Sequence, residues 1–241
     1  MSESLQLSPS LPVRAWNAWQ RRGSRYVLHK TLRRSLSRWP AWKRRLVYDN
    51  PQSYWTLRGG EEYFREQEDQ PARTKRSLWL AQRIASYQPT SILEIGCGYG
   101  KQLRAIRGQL DIPMVGLDFS PSQLNLALTF LEDLDQLDLI LASGLDLPFP
   151  DQSFDLVLTS AVILHNPPAD AEQIRREVLR VARRYAAHNE DTDVTYNRYG
   201  YDTAAWYRQA GIPLAESGPI PTEPQPSSSQ FCVAEVSHWR R

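Results

Sequence analysis

Three glycines close together on a chain that has just left an apolar run bring a ligand within reach of bare backbone. Here Ile92-Leu93-Glu94-Ile95 runs into Gly96-Cys97-Gly98-Tyr99-Gly100. Glycine supplies the unusual dihedrals of such a turn and leaves space beside it. The spacing alone also suits a nicotinamide dinucleotide, but that fingerprint wants its third glycine one residue later, where Lys101 stands. Glu94 sits two residues before Gly96, where a carboxylate meets a ligand ammonium better than a pyrophosphate. Asp118 follows Gly100 by eighteen residues, at the end of the next apolar run. An acid there accepts hydrogen bonds from both hydroxyls of a ribose. Ser143-Gly144-Leu145 closes a third run and offers backbone and a small side chain to the edge of a base. A fourth run ends at Thr159-Ser160.

Elements that position these residues are legible from periodicity and punctuation. Expected helices cover residues 72–87, 101–107, 121 to about 131, 170–183 and 201–210. Expected strands cover 91–95, 114–117, 137–142, 154–159, 184–188 and 231–236. Ser120 and Gln123 read as a capping box with Pro121 at the first helical position. Strands alternating with helices predict an α/β fold, a Rossmann-like parallel sheet with helices on both faces and ligands beyond the carboxyl ends of its strands.

With those elements in place, residues 90–182 resemble the class I S-adenosylmethionine (AdoMet)-dependent methyltransferases. The likeness is to the small-molecule branch that includes the quinone C-methyltransferases. Leu93–Gly100 (LEIGCGYG), Val115–Leu124 (VGLDFSPSQL) and Leu147–Val157 (LPFPDQSFDLV) carry it. The resemblance implies a seven-stranded, mostly parallel sheet whose last strand is antiparallel. It also implies AdoMet held by Glu94, Gly96, Cys97, Gly98, Tyr99 and Gly100, by Asp118 on the ribose and Phe119 against the adenine, and by Ser143, Gly144, Leu145 and Ser160. Two departures stand out. Ser143 occupies the place of the family's adenine-binding aspartate. Arg183-Arg184-Tyr185 replaces the Lys-Pro-Gly-Gly turn before the fifth strand.

On the acceptor side, His165 follows the fourth strand. It is either a general base titrating near neutrality or a helix-terminal histidine bonded to backbone. His188-Asn189-Glu190-Asp191 either binds a polar acceptor or forms a solvated loop. Asn166-Pro167-Pro168 has the look of an amide methylase motif, but it comes seven residues after Thr159 and is followed by Ala169. A helix start fits it better. Tyr54, Trp55 and Arg58, with Tyr63, Phe64 and Arg65, are candidates for a lid. Tyr199 and Trp206, within an aromatic-rich segment, are candidates for acceptor contacts or for helix packing.

The net charge of +2 hides an asymmetry. Residues 1–48 hold eleven Lys or Arg and one acid, a net +10, and the remaining 193 residues hold 18 against 26, a net −8. A basic, Trp-rich N-terminal extension (1–48) therefore precedes a methyltransferase domain (49–241), with its cofactor half at 90–182 and an acceptor-side segment at 183–241. Leu28, Leu32, Leu36 and Trp39 predict an amphipathic helix over 25–39, punctuated by Gly23 and Pro40. Such a segment suits an anionic membrane surface, an RNA backbone, a transit peptide or the acidic body itself. No apolar run approaches the roughly 18 residues of a membrane span. Two cysteines, Cys97 and Cys232, suit neither a disulfide framework nor a metal cluster. The expectation is a cytoplasmic enzyme, at most membrane-peripheral, with AdoMet as cofactor, a small-molecule acceptor and no DNA partner. An RNA methyltransferase and a non-catalytic AdoMet-binding scaffold are the alternatives.

Overall fold

A computed structural model describes residues 11–48, 50–223 and 226–239, with side chains from residue 19 onward except Arg21. Two compact units divide at Arg58/Gly59. The division lies ten residues beyond the expected one, so Tyr54, Trp55 and Arg58 fall in the first unit.

The first unit is helical: α1 (Leu11–Ser35), a 3-10 turn (Leu36–Arg38), α2 (Pro40–Val47) and α3 (Pro51–Arg58). Gly23, at φ 78° and ψ 173°, breaks α1. The expected single helix over 25–39 is therefore the second half of α1 plus the 3-10 turn. Pro40 opens α2 at a position where its missing N–H costs nothing. Tyr54 packs edge-on to Tyr48, with ring centroids 4.8 Å apart.

In the second unit the helices α4 (Glu61–Glu68) and α5 (Pro71–Ala85) precede the sheet. Strands and helices then alternate: β1 (Ile92–Ile95), α6 (Lys101–Arg107), β2 (Met114–Asp118), α7 (Pro121–Phe130), β3 (Leu137–Leu141), β4 (Phe154–Ser160), α8 (Pro168–Val181), β5 (Ala182–Asp191), α9 (Thr203–Gln209), β6 (Leu214–Pro219) and β7 (Ser229–Glu235). The sheet order is β3-β2-β1-β4-β5-β7-β6. The first five strands are parallel, and β7 runs antiparallel to both β5 and β6.

Each sheet face carries its own core. Leu80 and Ile84 of α5, Leu103 and Ile106 of α6 and Leu124 of α7 pack on one side. Ile174 and Val178 of α8 and Tyr207 of α9 pack on the other. β1 and most of β4 are buried throughout, as strands covered on both faces must be.

Three expectations change. β6 is absent from the expected strands, because Gly218-Pro219 and alternating exposure mark an edge strand that carries no strong strand pattern. β5 runs on to Asp191 rather than stopping at His188, because its polar end pairs with β7 through Glu190 and Asp191. The capping box does not form: Asp118 Oδ1 accepts the Ser120 N–H at 2.8 Å, and Gln123 Oε1 accepts from Gly60 N at 3.3 Å. Asn166-Pro167-Pro168 does start a helix, with Pro168 at the first position of α8. Where the Lys-Pro-Gly-Gly turn is missing, α8 passes straight into β5, and Arg183 and Arg184 hold the buried Asp155 at 3.3 and 3.0 Å.

Candidate active site

The loop leaving β1 is tied down by its neighbour strand. The N–H groups of Gly96 and Cys97 both donate to Leu117 O, at 2.6 and 3.0 Å. Gly96 (φ 69°) and Gly98 (φ 58°) occupy the left-handed region, where a side chain is strained. A Cβ on Gly96 would also stand 2.5 Å from Val162 Cγ2, on the turn that follows β4. That turn therefore lies directly over the loop.

Asp118 ends β2 with its side chain buried. Its Oδ2 accepts the Gly98 N–H at 2.9 Å and its Oδ1 the Ser120 N–H. Each oxygen keeps a further lone pair for a ligand hydroxyl. Burial raises the Asp118 pKa, against the Ser120, Gly98 and Phe119 amides that lower it. Glu94 is buried on β1, and its Oε2 has no hydrogen-bond partner among the described residues. Burial, and then the Asp118 charge, pushes its carboxyl well above the usual range. A buried acid left in this state costs free energy that a cationic partner would recover. The pair therefore fits a ligand with an ammonium and a diol, which AdoMet has.

The other loop residues divide by role. Cys97 is buried, its thiol raised first by burial, and it packs in the α5–α6–α7 core. Tyr99 donates to Glu68 Oε1 at 2.7 Å and meets the rings of Phe64 and Phe130. Lys101 Nζ pairs with the same Glu68 at 3.0 Å. Through these contacts α4 lies against the glycine loop, so Phe64 of the candidate lid is at the loop. A Cβ on Gly100 would collide with Leu131. Phe119 is half-buried beside Asp118. Ser143 Oγ accepts from Leu145 N at 3.2 Å, within its own turn, and a Cβ on Gly144 would stand 2.9 Å from Ile95.

Beyond β4 and β5 lies a buried polar network. Glu190 accepts from the Thr159 hydroxyl at 2.8 Å and from the N–H groups of Val162, Ile163 and Leu164 at 3.1–3.2 Å. Burial raises its carboxyl, and these donors oppose that. Because Thr159 donates to Glu190, its oxygen takes the His188 Nδ1–H at 2.8 Å. His188 Nε2 in turn accepts from Tyr207 OH at 2.7 Å. Burial lowers His188 to about 3, so the ring is neutral. Asn189 donates to Ser160 Oγ at 2.7 Å and accepts from Arg76 Nη2 at 2.6 Å. Asp191 pairs with Arg198 at 2.9 Å. His188–Asp191 is thus a buried end of strand rather than a solvated loop.

His165 ends a 3-10 turn (Ile163–His165). Its Nδ1–H donates to Asn197 O at 2.6 Å, and burial lowers it to about 4. The backbone-bonded reading describes this geometry, and the tautomer leaves Nε2 as the basic nitrogen. Trp206 donates to Glu172 Oε2 at 2.8 Å, and the Arg175 guanidinium lies over both Tyr201 and Trp206. Tyr199 stacks parallel to Tyr201 at 6.3 Å. A cavity of about 420 Å³ opens between β5, β7, β6 and α9, lined by His188, Glu190, Thr203, Arg208, Gln230 and Cys232 among others. The buried Thr203 hydroxyl there has no partner among the described residues.

Sequence reasoning missed Arg76, one of several cations on α5. It also missed the role of Glu190 in fixing the turn after β4, and the left-handed Ala161 (φ 56°) that opens that turn. A non-glycine residue in that region carries no sequence mark.

Residues 92–184 match the family described as a methyltransferase domain. Over this span the chain is similar to methyltransferases, and the match falls on the stretch that resembles the class I AdoMet-dependent family. Ajmaline N-methyltransferase of Rauvolfia serpentina is 35% identical over 98 residues, 39% of this chain and 33% of that protein. The sterol 24-C-methyltransferase erg6 of Aspergillus fumigatus is 29% identical over 108 residues, 44% of this chain and 28% of that protein. This chain therefore spans about a third of the length of these curated relatives. The solved magnesium protoporphyrin IX methyltransferase of Synechocystis PCC 6803, with bound SAH, superposes with a TM-score of 0.57. It is 13% identical and covers 68% of this chain and 83% of its own, a likeness of fold.

Proposed function

We propose that the protein transfers the methyl group of AdoMet to an O, N or C atom of a small molecule. The single observation that carries this reading is the cradle itself: buried Glu94, whose Oε2 has no partner among the described residues, beside Asp118 and the positive-φ glycines. Glu94 would receive the ammonium, Asp118 the ribose hydroxyls and the Gly96–Gly100 loop the body of the ligand, with Phe119 and Ser143–Leu145 at the base. When bound, AdoMet supplies an electrophilic methyl on a sulfonium. What remains for the chain is alignment and exclusion of water.

The acceptor would lie beyond the ends of β4 and β5. There the Glu190 carboxylate fixes the turn from Val162 to Leu164, and Asn189 and Arg76 fix Ser160. The cavity by α9, with its unanswered Thr203 hydroxyl, offers room for a polar group of the acceptor. For an acceptor that must lose a proton, His165 Nε2 is the candidate base. Tyr199 and Trp206 support it indirectly, by closing the segment over α8. A lipophilic acceptor is the narrower reading, supported by the sterol and porphyrin acceptors in the names of the relatives above.

The test is incubation with methyl-labelled AdoMet and fractionated small-molecule and RNA extracts. Label in a small molecule is expected. Label in RNA instead would favour the RNA methyltransferase reading, and binding without transfer to either pool the scaffold reading.

A further inference from the structure

Nine large hydrophobic side chains are exposed among the described residues, and five of them, Trp19, Leu28, Trp39, Trp42 and Leu46, belong to the first unit. Three of the five lie on α2 or at its N-cap. Trp42 and Leu46 are four residues apart on α2, so helical spacing stacks them on one face, and Trp39 is the N-cap residue of the same helix. Trp39 and Trp42 are each 57% exposed and Leu46 is 51% exposed. Val47, on the other side of the same helix, is buried at 2%. α2 thus has an inner face anchored by Val47 and an outer face of an indole and an isobutyl group, with a second exposed indole at its N-cap. Arg45, three residues after Trp42 on α2, and Arg38, in the 3-10 turn just before Trp39, are both exposed.

We propose that the Trp42–Leu46 face of α2, with Trp39 at its N-cap and the exposed Arg38 and Arg45, seats this protein on an anionic lipid surface. Charge complementarity selects the occupant. The segment that carries this face has a net +10 against −8 for the rest of the chain, which matches anionic headgroups. Indoles favour the headgroup boundary, where an apolar ring and a polar N–H are both accommodated. An RNA backbone would be satisfied by the cations alone and gives Leu46 no reason to face outward. No helix among the described residues is long and apolar enough to cross a membrane, so the contact is with the surface. This puts the seat at α2, and not along the expected stripe of Leu28, Leu32, Leu36 and Trp39, of which Leu32 and Leu36 are half-buried. The proposal is independent of the identity of the acceptor.

The experiment is co-sedimentation of the full chain with vesicles of phosphatidylcholine alone and of phosphatidylcholine with about one third phosphatidylserine. The wild type is expected to pellet with the anionic vesicles at low salt, to stay in solution with the neutral ones, and to be released as salt rises. Trp39→Ser/Trp42→Ser is expected to reduce partitioning about tenfold or more. Arg38→Gln/Arg45→Gln is expected to reduce it about 25-fold, about fivefold for each cation. Unchanged circular dichroism in both variants shows that these exposed substitutions leave the fold intact. Three results would overturn the proposal. One is a wild type that stays in solution with anionic vesicles at low salt. Another is a tryptophan variant that binds as the wild type does and is displaced by polyuridylate at equal phosphate, which makes the segment a general polycation. The third is a concentration-dependent dimer that needs Trp39 and Trp42 and excludes vesicles, which makes the face a contact between copies.

Discussion

The proposed role of Glu94 in the cofactor cradle carries a proton signature. In the free protein its carboxyl is held well above the ordinary range by burial and by the neighbouring Asp118 charge. An ammonium seated against its partnerless Oε2 favours the charged form, so ligand binding pulls the pKa down. Between the lowered and the raised value, binding must therefore release a proton. Affinity rises with pH across that window by up to about tenfold per unit, since one unit corresponds to about 1.36 kcal/mol. Glu94→Gln keeps the shape, removes the titration and loses a charge-assisted hydrogen bond of about 1.5–3 kcal/mol. Calorimetry with AdoMet, in two buffers of different ionisation heat at several pH values below neutrality, reads both effects. The wild type is expected to show buffer-dependent heat and pH-dependent affinity, and Glu94→Gln weaker binding with a flatter profile. Any titration of the ligand's own amine is present for both proteins, so the difference between profiles reports Glu94. Identical profiles and equal affinities would refute the pairing of Glu94 with an ammonium.

Three other outcomes follow from the same structure. Asp118→Asn is expected to weaken AdoMet by about 1.5–3 kcal/mol in calorimetry, because the amide accepts on only one of its two termini. His165→Gln separates two roles by turnover against AdoMet affinity: as base, its loss reduces turnover roughly 100-fold or more with affinity intact, and equal turnover assigns the ring to holding Asn197. His188 is neutral in the fold down to about pH 3 but takes a proton near 6.5 once unfolded, so its contribution is complete above about 6.5 and is lost as pH falls toward 3. Denaturant unfolding at a series of pH values is expected to show His188→Asn with a slope of stability against pH lower than wild type by up to about 1.4 kcal/mol per unit, and parallel slopes would contradict that burial.

The cofactor half of the fold was legible because its signals are local. Ile92–Ile95 is an unbroken apolar strand, the glycines follow at once, and Asp118 closes the next strand. What was not legible depends on partners distant in sequence. Glu190 looks like a loop acid until the turn after β4, some thirty residues earlier, supplies its N–H groups. Arg76 becomes a site residue only when β5 brings Asn189 to it across 113 positions. Ser120 and Gln123 satisfy the local rule for a capping box, but Asp118 and Gly60 take their hydrogen bonds. β6 carries Gly218-Pro219, which local rules read as a turn and which an edge strand tolerates.

The central claim, that this cradle binds AdoMet for methyl transfer to a small molecule, is tested most directly by product mass analysis. Pure protein is incubated with methyl-labelled AdoMet and a small-molecule extract, beside Gly98→Val. In that variant a branched side chain must adopt φ 58° with its Cβ 3.4 Å from Gln123 Nε2. The account predicts a labelled small molecule with the wild type and none with Gly98→Val. No labelled small molecule with either protein, or equal labelling with both, would contradict it.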